Sequence, residues 1–255
     1  MRAKAVAVIT ICASLTFCAS AQTKAQKAQA KDPRYQYNLG LFYLNQNDVD
    51  NAVKCFNKTL SLDAKYYLAW NALGLAHSMR GRLDEAAKAY LKCLEVNPQF
   101  TEAHNNLGTV YQEMNRLDQA EEQFRLVLAD PVYQNRELAY FNLARLYVVE
   151  NRLDAALDNV QKAIQLKPRL AMAHNLRGII FEKQNNLGEA VASYDEAVKI
   201  VPEDLSFNYN LAVACFKNKD YARAKEIFLK IQGKVTDADT RDTIAKYLKM
   251  INDLG

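Results

Sequence analysis

The stretch from Tyr67 to Phe100, YLAWNALGLAHSMRGRLDEAAKAYLKCLEVNPQF, reads as one helix, a tight turn and a second helix. Trp70 and Leu73 lie three residues apart and therefore share one face of the first helix. Gly74 has no Cβ, so a partner helix can approach closely at that point. The second helix ends before Pro98, because the residue preceding a proline is biased away from the helical region. The stretch therefore predicts a helical hairpin.

The same pattern recurs along the chain. The small residue of the first helix recurs at intervals of 34, 34, 36, 34 and 34 residues, at Gly40, Gly74, Gly108, Ala144, Gly178 and Ala212. A second small residue follows each of them after twelve positions, at Ala52, Ala86, Ala120, Ala156, Ala190 and Ala224. Two series in one register indicate six copies of the hairpin.

With Trp70, Leu73, Gly74, Ala86, Tyr90 and Pro98 at their spacings, the chain resembles the tetratricopeptide repeat family. The resemblance implies an all-α superhelix of six helix-turn-helix repeats, at residues 33–66, 67–100, 101–136, 137–170, 171–204 and 205–238. Residues 239–255 are predicted to form a C-terminal capping helix, because a bare last repeat would expose its core. Membrane-surface binding by this helix is the alternative interpretation.

Composition narrows the class of protein. The chain has 255 residues, is 50% hydrophobic and carries a formal charge of +4. It can bury a large core, and its Lys and Arg alternate with Asp and Glu on the predicted helices. A nucleic-acid partner is not expected, because that would require clustered basic residues.

The first 21 residues resemble an export signal. Arg2 and Lys4 form a basic start, an apolar run of thirteen residues follows from Ala5 to Phe17, and small residues precede Gln22. Thirteen residues are too few to span a bilayer, which needs about 20 in a helix. We therefore predict a signal peptide at residues 1–21 and an exported, periplasmic protein.

Lipidation at Cys18 is the rival to cleavage after Ala21. Leu15 stands three residues before Cys18, as in bacterial lipoprotein signals, although Phe17 occupies a position where that pattern has Gly, Ala or Ser. A lipid on Cys18 would anchor the protein at the outer membrane. The polar residues 22–32 are predicted to be a linker in either case.

The sequence offers little chemistry. His77, His104 and His174 occupy repeat core positions, and the three cysteines beyond the signal, Cys55, Cys93 and Cys215, are predicted to fill the core. Acidic residues at Asp50, Asp84, Asp118 and Asp154 are predicted to cap the second helices. No nucleophile, phosphate-binding or metal motif is present. We therefore predict a protein that is not an enzyme and needs no cofactor.

The residue before the Leu-Gly pair faces the concave groove in tetratricopeptide arrays, and in this chain it is often asparagine. The resemblance implies that Asn38, Asn106, Asn142 and Asn210 hold the backbone of an extended peptide, since an amide both donates and accepts hydrogen bonds. Leu41, Leu75, Arg145 and Ile179, three residues further on, are predicted to line the same groove. The alternative is that asparagine merely suits a solvated helix face.

The third repeat ends in a connection two residues longer than the others. This middle junction carries Pro131, Tyr133, Arg136, Asn142 and Leu143. In these residues it is similar to the pilotins of type IV pilus assembly, exported six-repeat lipoproteins that help an outer-membrane secretin to assemble. The resemblance implies a secretin partner, and a generic periplasmic scaffold or chaperone-like adaptor without secretin contact is the alternative.

Overall fold

The computed structural model describes residues 29–254, which form thirteen α-helices and no strand. Their bounds are α1 Pro33–Asn45, α2 Val49–Leu62, α3 Tyr67–Met79, α4 Leu83–Val96, α5 Thr101–Glu113, α6 Leu117–Ala129, α7 Arg136–Val149, α8 Leu153–Leu166, α9 Ala171–Lys183, α10 Leu187–Ile200, α11 Leu205–Lys217, α12 Tyr221–Gln232 and α13 Ala238–Leu254. The predicted all-α fold of helix-turn-helix repeats is confirmed.

The predicted signal segment, Cys18 and most of the predicted linker lie outside the described residues. The remaining helices form two compact units, residues 29–116 with α1 to α5 and residues 117–254 with α6 to α13. In the first unit each helix packs against its neighbours in the chain, from α1 to α5. The second unit follows the same rule from α6 to α13.

One residue with a left-handed backbone ends the first helix of every repeat. The series is Asn47, Gly81, Asn115, Asn151, Asn185 and Lys219, with φ between 58° and 67°. The next amide N–H returns to a carbonyl five residues earlier, as from Asp48 to Tyr43 at 2.9 Å. This is the Schellman arrangement, which satisfies the last carbonyls of a helix. Asparagine and glycine tolerate the conformation better than other residues, so the turn is specified locally.

The close approach predicted at the glycines is confirmed, and an aromatic ring of the second helix occupies the space. A Cβ added to Gly74 would lie 2.7 Å from Cε1 of Tyr90, and one added to Gly178 would lie 2.6 Å from the Tyr194 ring. These distances are below van der Waals contact, so the ring packs directly on the glycine backbone.

The fourth repeat has Ala144 and Val160 at the corresponding positions, both fully buried. A larger residue on the first helix is thus matched by a smaller one on the second.

The prediction that Asp50, Asp84, Asp118 and Asp154 cap the second helices is wrong. Each lies at the second helical position, because the helices begin one residue earlier, at Val49, Leu83, Leu117 and Leu153. The N-cap is instead Asp48 in α2 and Arg82 in α4. Acidic residues in the first turn are still favourable beside the positive end of the helix dipole. They also link repeats, since Asp50 pairs with Arg80 at 2.8 Å.

The predicted closing helix is confirmed as α13. Ile244 and Ile251 are buried in the core that α13 shares with α11 and α12. Tyr247 stacks on Phe228 with ring centroids 5.2 Å apart and meets Phe216 edge-on at 5.0 Å. These contacts bury the apolar face of the last repeat, as a terminal repeat requires.

Candidate interaction surfaces on the first helices

In five of the six repeats, a side chain near the start of the first helix forms a hydrogen bond with a carbonyl of the preceding loop. Trp70 Nε1 donates to the carbonyl of Ala64 at 3.0 Å, and Asn208 Nδ2 donates to that of Pro202 at 2.9 Å. Gln36, His104 and His174 make the same contact with the carbonyl six residues earlier. A carbonyl oxygen only accepts, so Nε2 carries the hydrogen in both histidines. These histidines therefore have a structural role in the repeat.

The first-unit surface is the side of α1, α3 and α5 that carries Asn38, Leu75 and Asn106. Asn38 is exposed, whereas Asn106 is half-buried and donates from Nδ2 to Oδ1 of Asn71 on α3, at 3.2 Å. Leu75 is 41% exposed, and Met79 one turn further on is 48% exposed. Leu41 instead packs partly against the core of this unit. The surface thus combines amides with exposed apolar side chains.

The second-unit surface is the corresponding side of α7, α9 and α11. Asn142 is half-buried, and Asn210 donates from Nδ2 to Oδ1 of Asn175 on α9, at 2.9 Å. Arg145 is exposed, with its guanidinium carbon 5.9 Å from the centroid of the Phe141 ring. Ile179 packs partly against the core. Each surface therefore contains one amide pair that bridges two successive first helices.

A cleft of about 520 Å³ lies at the end of the second-unit surface, next to Asn210. Ser206 and Tyr209 on α11 line one side of the cleft, and Val235 with Asp239 near the start of α13 line the other. Burial raises the pKa of Tyr209, so its phenol stays protonated and can donate a hydrogen bond. The cleft is large enough for a side chain of a bound polypeptide.

Asn71 and Asn175, the acceptors of the two amide pairs, were not predicted from the sequence. Asn71 stands one position before Ala72, and Asn175 one position before Leu176, the residues at the groove position of their repeats. Each acceptor lies 35 residues before its partner. The sequence signal that could have identified them is a pair of asparagines 35 residues apart, one residue more than the 34-residue repeat. At this separation the two side chains meet between neighbouring first helices.

The cysteines are packed residues, as the sequence predicts. Cys93 and Cys215 are fully buried, and burial raises the pKa of Cys93 to about 12 and that of Cys215 to about 11. Their thiols therefore stay protonated at neutral pH. Within residues 29–254, no group of three His, Cys, Asp or Glu side chains is placed to hold a metal ion.

Family models match most of the repeats. Models described as tetratricopeptide repeat match residues 33–66, 67–100 and 89–122, and a model described as the tetratricopeptide repeat protein 21 C-terminal ARM domain matches residues 129–237. Together with the hairpin geometry, these matches define the class. The chain is a tetratricopeptide repeat protein.

Among curated proteins, the Hsp70-Hsp90 organising protein of Plasmodium falciparum (isolate 3D7) is 39% identical over 56 residues, which cover 22% of this chain and 10% of that protein. The match thus spans about a tenth of the relative. The match shows a shared repeat sequence, and it does not identify the binding partners of this chain.

Solved structures share the fold at low identity. PilW, described as a widely conserved type IV pilus biogenesis factor, is 18% identical with a TM-score of 0.78, covering 84% of this chain and 98% of that one. PilF of Pseudomonas aeruginosa is 17% identical with a TM-score of 0.74, covering 87% and 99%. YrrB, described as a TPR protein with an unusual peptide-binding site, is 22% identical with a TM-score of 0.57, covering 72% and 94%.

The fold is that of a protein–protein interaction scaffold, a class that is generally non-enzymatic. None of the helices in the described range is both long enough and apolar enough to cross a membrane.

Proposed function

We propose that this protein is a non-enzymatic scaffold of the cell envelope that holds an extended segment of another protein on its first helices. We further propose that the partner is a secretin of type IV pilus assembly, so that the protein acts as a pilotin-like factor. The observation that carries the proposal is the pair of amide bridges, Asn71 with Asn106 and Asn175 with Asn210.

The chemistry of these bridges favours a peptide backbone as ligand. An asparagine amide has two donor hydrogens and one acceptor oxygen, and the bridge uses one donor of Asn106 and of Asn210. Further donor and acceptor capacity remains for the N–H and C=O groups of an extended chain. The bridge also fixes the orientation of the amide, which reduces the entropy lost on binding.

Exposed apolar side chains beside the amides support the same interpretation. Leu75 and Met79 are four residues apart on α3, so they lie on one face of that helix. An apolar row next to fixed polar groups is typical of a surface that binds a partner. Arg145 adds a cation that can pair with an acidic group of the bound segment.

The proposed envelope location rests on the export signal predicted at residues 1–21, and the proposed pilus role rests on the middle junction. The fold likeness to PilW extends over 98% of that chain, which supports the comparison of repeat number. A lipid on Cys18 would favour the pilotin-like role, whereas a mature N-terminus at Gln22 would favour a periplasmic scaffold without secretin contact. Mass spectrometry of the mature protein distinguishes these two outcomes.

Deletion of the gene tests the proposed partner. We expect the outer membrane of the deletion strain to lose its secretin multimers, and the wild-type gene to restore them. Unchanged multimers in the deletion strain would contradict the secretin assignment.

Complementation with variants tests the proposed surface. Asn106→Ala combined with Asn142→Ala changes one groove residue in each unit and should fail to restore the multimers, with helical content nearly unchanged. Asn57→Ala, an exposed asparagine on α2, is the matched control and should complement fully.

A further inference from the structure

A small cleft lies beside the long connection that precedes α7. It has a volume of about 250 Å³ and is lined by Arg136, Tyr140, Lys162, Gln165 and Leu166. These residues come from the first two turns of α7 and the last two turns of α8. The small-residue series widens here from 34 to 36 residues, so this end of the fourth hairpin differs from the others.

The lining of the cleft is rich in hydrogen-bond donors and carries two positive charges. Arg136 contributes a guanidinium, Lys162 an ammonium and Gln165 an amide. The Lys162 ammonium lies 5.8 Å from the centroid of the Tyr140 ring and 2.6 Å from a carboxylate oxygen of Asp158. The hydrogen bond to Asp158 raises the pKa of Lys162, so this cation stays charged at neutral pH.

Tyr140 departs from the repeat pattern in a way that shapes the cleft. The corresponding residues Trp70 and Asn208 point to the carbonyl six positions earlier and fasten the preceding loop. The Tyr140 ring faces Lys162 and forms a wall of the cleft. Together with Leu166 it provides apolar surface for the methylene groups of a ligand.

The guanidinium of Arg136 has an unused donor. Its Nε atom is shielded from water and has no hydrogen-bond partner within the described chain. A buried donor without an acceptor is unfavourable, so the group gains by meeting an acceptor from another molecule. Arg136 also lines the cleft, and the N–H groups of its guanidinium form a planar fork. This fork binds a carboxylate through two parallel hydrogen bonds.

We propose that this cleft binds the carboxylate of a glutamate or aspartate side chain of the partner polypeptide. The inference rests on the proposed function and adds to it an acidic anchor away from the first-helix surfaces. The volume of about 250 Å³ is below the roughly 300–1,000 Å³ of small-molecule pockets, which favours a single side chain over a cofactor.

The test uses the purified full chain and a short probe peptide. The probe is acetyl-Ala-Glu-Glu-Ala-amide, and its match with glutamine in place of glutamate removes the charge at nearly constant shape. Chemical shifts of the arginine Nε–H groups are followed during titration. We expect one arginine signal to shift saturably with the acidic peptide and to be lost in Arg136→Gln. Equal shifts with the glutamine peptide would overturn the inference.

Two variants and a control establish the site. Arg136→Gln and Lys162→Gln should each weaken binding of the acidic peptide about tenfold, the loss expected for a hydrogen bond to a charged group. Lys199→Gln removes a lysine from the next second helix that is likewise paired with a carboxylate, that of Glu196 at 2.6 Å, and it should bind as wild type. Unchanged affinity in both cleft variants would overturn the assignment.

Competition with inorganic phosphate distinguishes a site for a carboxylate from a site for a phosphate group. We expect phosphate to compete more weakly than the acidic peptide at equal concentration. Saturation by phosphate with no response to the peptide would contradict the inference, because it would assign the cleft to a phosphate group.

Failure of this inference is distinguishable from failure of the proposed function. Multimers that are lost on gene deletion but fully restored by Arg136→Gln with Lys162→Gln would overturn the acidic anchor alone. Multimers unaffected by the deletion itself would overturn the secretin assignment, whatever the peptide titration shows.

Discussion

Asn210 donates a hydrogen bond from Nδ2 to Oδ1 of Asn175, and the two atoms lie 2.9 Å apart. The bond joins α11 to α9, the first helices of two successive repeats. Asn106 and Asn71 form the same bridge between α5 and α3 in the first unit. If the proposed partner binds these amides, its affinity is expected to depend on the same bridges that connect the repeats.

Asn175→Ala tests this link. We expect the free energy of unfolding to fall by about 1 kcal/mol, the typical net contribution of one hydrogen bond. Partner affinity should fall too, although Asn210 is retained, because its amide is no longer oriented. Urea denaturation and a binding titration measure the two effects. A variant with normal affinity and lowered stability would show that the bridge is structural only.

Gly74→Ala should destabilise the first unit. The new Cβ would lie 2.7 Å from the Tyr90 ring, so helices or side chains must shift, at a cost of about 1–3 kcal/mol. Thermal unfolding followed by circular dichroism measures the change.

Gly188→Ala is the matched control in α10, since nothing lies within 4 Å of its added Cβ. It should leave stability equal or raise it by up to about 1 kcal/mol, because alanine is the better helix former. Equal destabilisation by the two substitutions would contradict the packing argument.

His174 tests the contact that fastens the inter-repeat loops. His174→Gln should nearly keep the wild-type stability, because Gln36 makes the equivalent bond at the same position of the first repeat. His174→Leu leaves the Pro168 carbonyl without this donor and should cost about 1–2 kcal/mol. Urea denaturation of both variants measures the difference. Equal stability of the two variants would show that this hydrogen bond does not contribute to the stability of the array.

Glu121 is expected to govern part of the acid sensitivity of the second unit. Burial alone would raise its pKa, but the hydrogen bond from Tyr147 at 2.8 Å and the charges of Arg125 and Arg152 bring that pKa below its ordinary value of 4.5. A depressed pKa means that the unfolded chain binds the proton more readily. The stabilisation is therefore complete above pH 4.5 and is lost as the pH falls through the lower value of the folded state.

Glu121→Gln should flatten the loss of stability that sets in as the pH falls below 4.5, and it should lower stability at pH 7 by about 1.5 kcal/mol, as for a hydrogen bond to a charged group. Urea denaturation as a function of pH measures both effects. Glu226→Gln, an exposed glutamate on α12, is the control and should leave the acid slope nearly unchanged. An unchanged slope in Glu121→Gln would contradict the assignment.

The hairpin array was predictable because its packing rules act within about 34 residues. A small residue on one helix and an aromatic one sixteen positions later, as in Gly74 and Tyr90, recur in five of the six hairpins, and Val160 takes the aromatic position in the fourth. The cap positions were misplaced by two residues because aspartate suits both the N-cap and the first turn. Local propensity cannot separate these two positions.

The site was less predictable, because its interactions join different repeats. The acceptors Asn71 and Asn175 can be recognised only by comparing residues 35 positions apart on successive first helices, and not from the pattern within one repeat. Glu121 occupies a position that is apolar in Val53 and Leu157, and its partners Tyr147 and Arg152 come from the next hairpin. A sequence pattern read one repeat at a time gives no indication of these contacts.

The central claim is that the first-helix surfaces hold another protein, and site-specific photocrosslinking in living cells tests it most directly. Benzoylphenylalanine is placed at Leu75 and at Arg145, one on each surface, and at Leu91 and Leu229 on second helices as controls. The three leucines are each at least 40% exposed, and Arg145 is also exposed. We expect Leu75 and Arg145 to give an adduct with the same envelope protein, and the controls to give none. Adducts that form only from Leu91 or Leu229 would contradict the account.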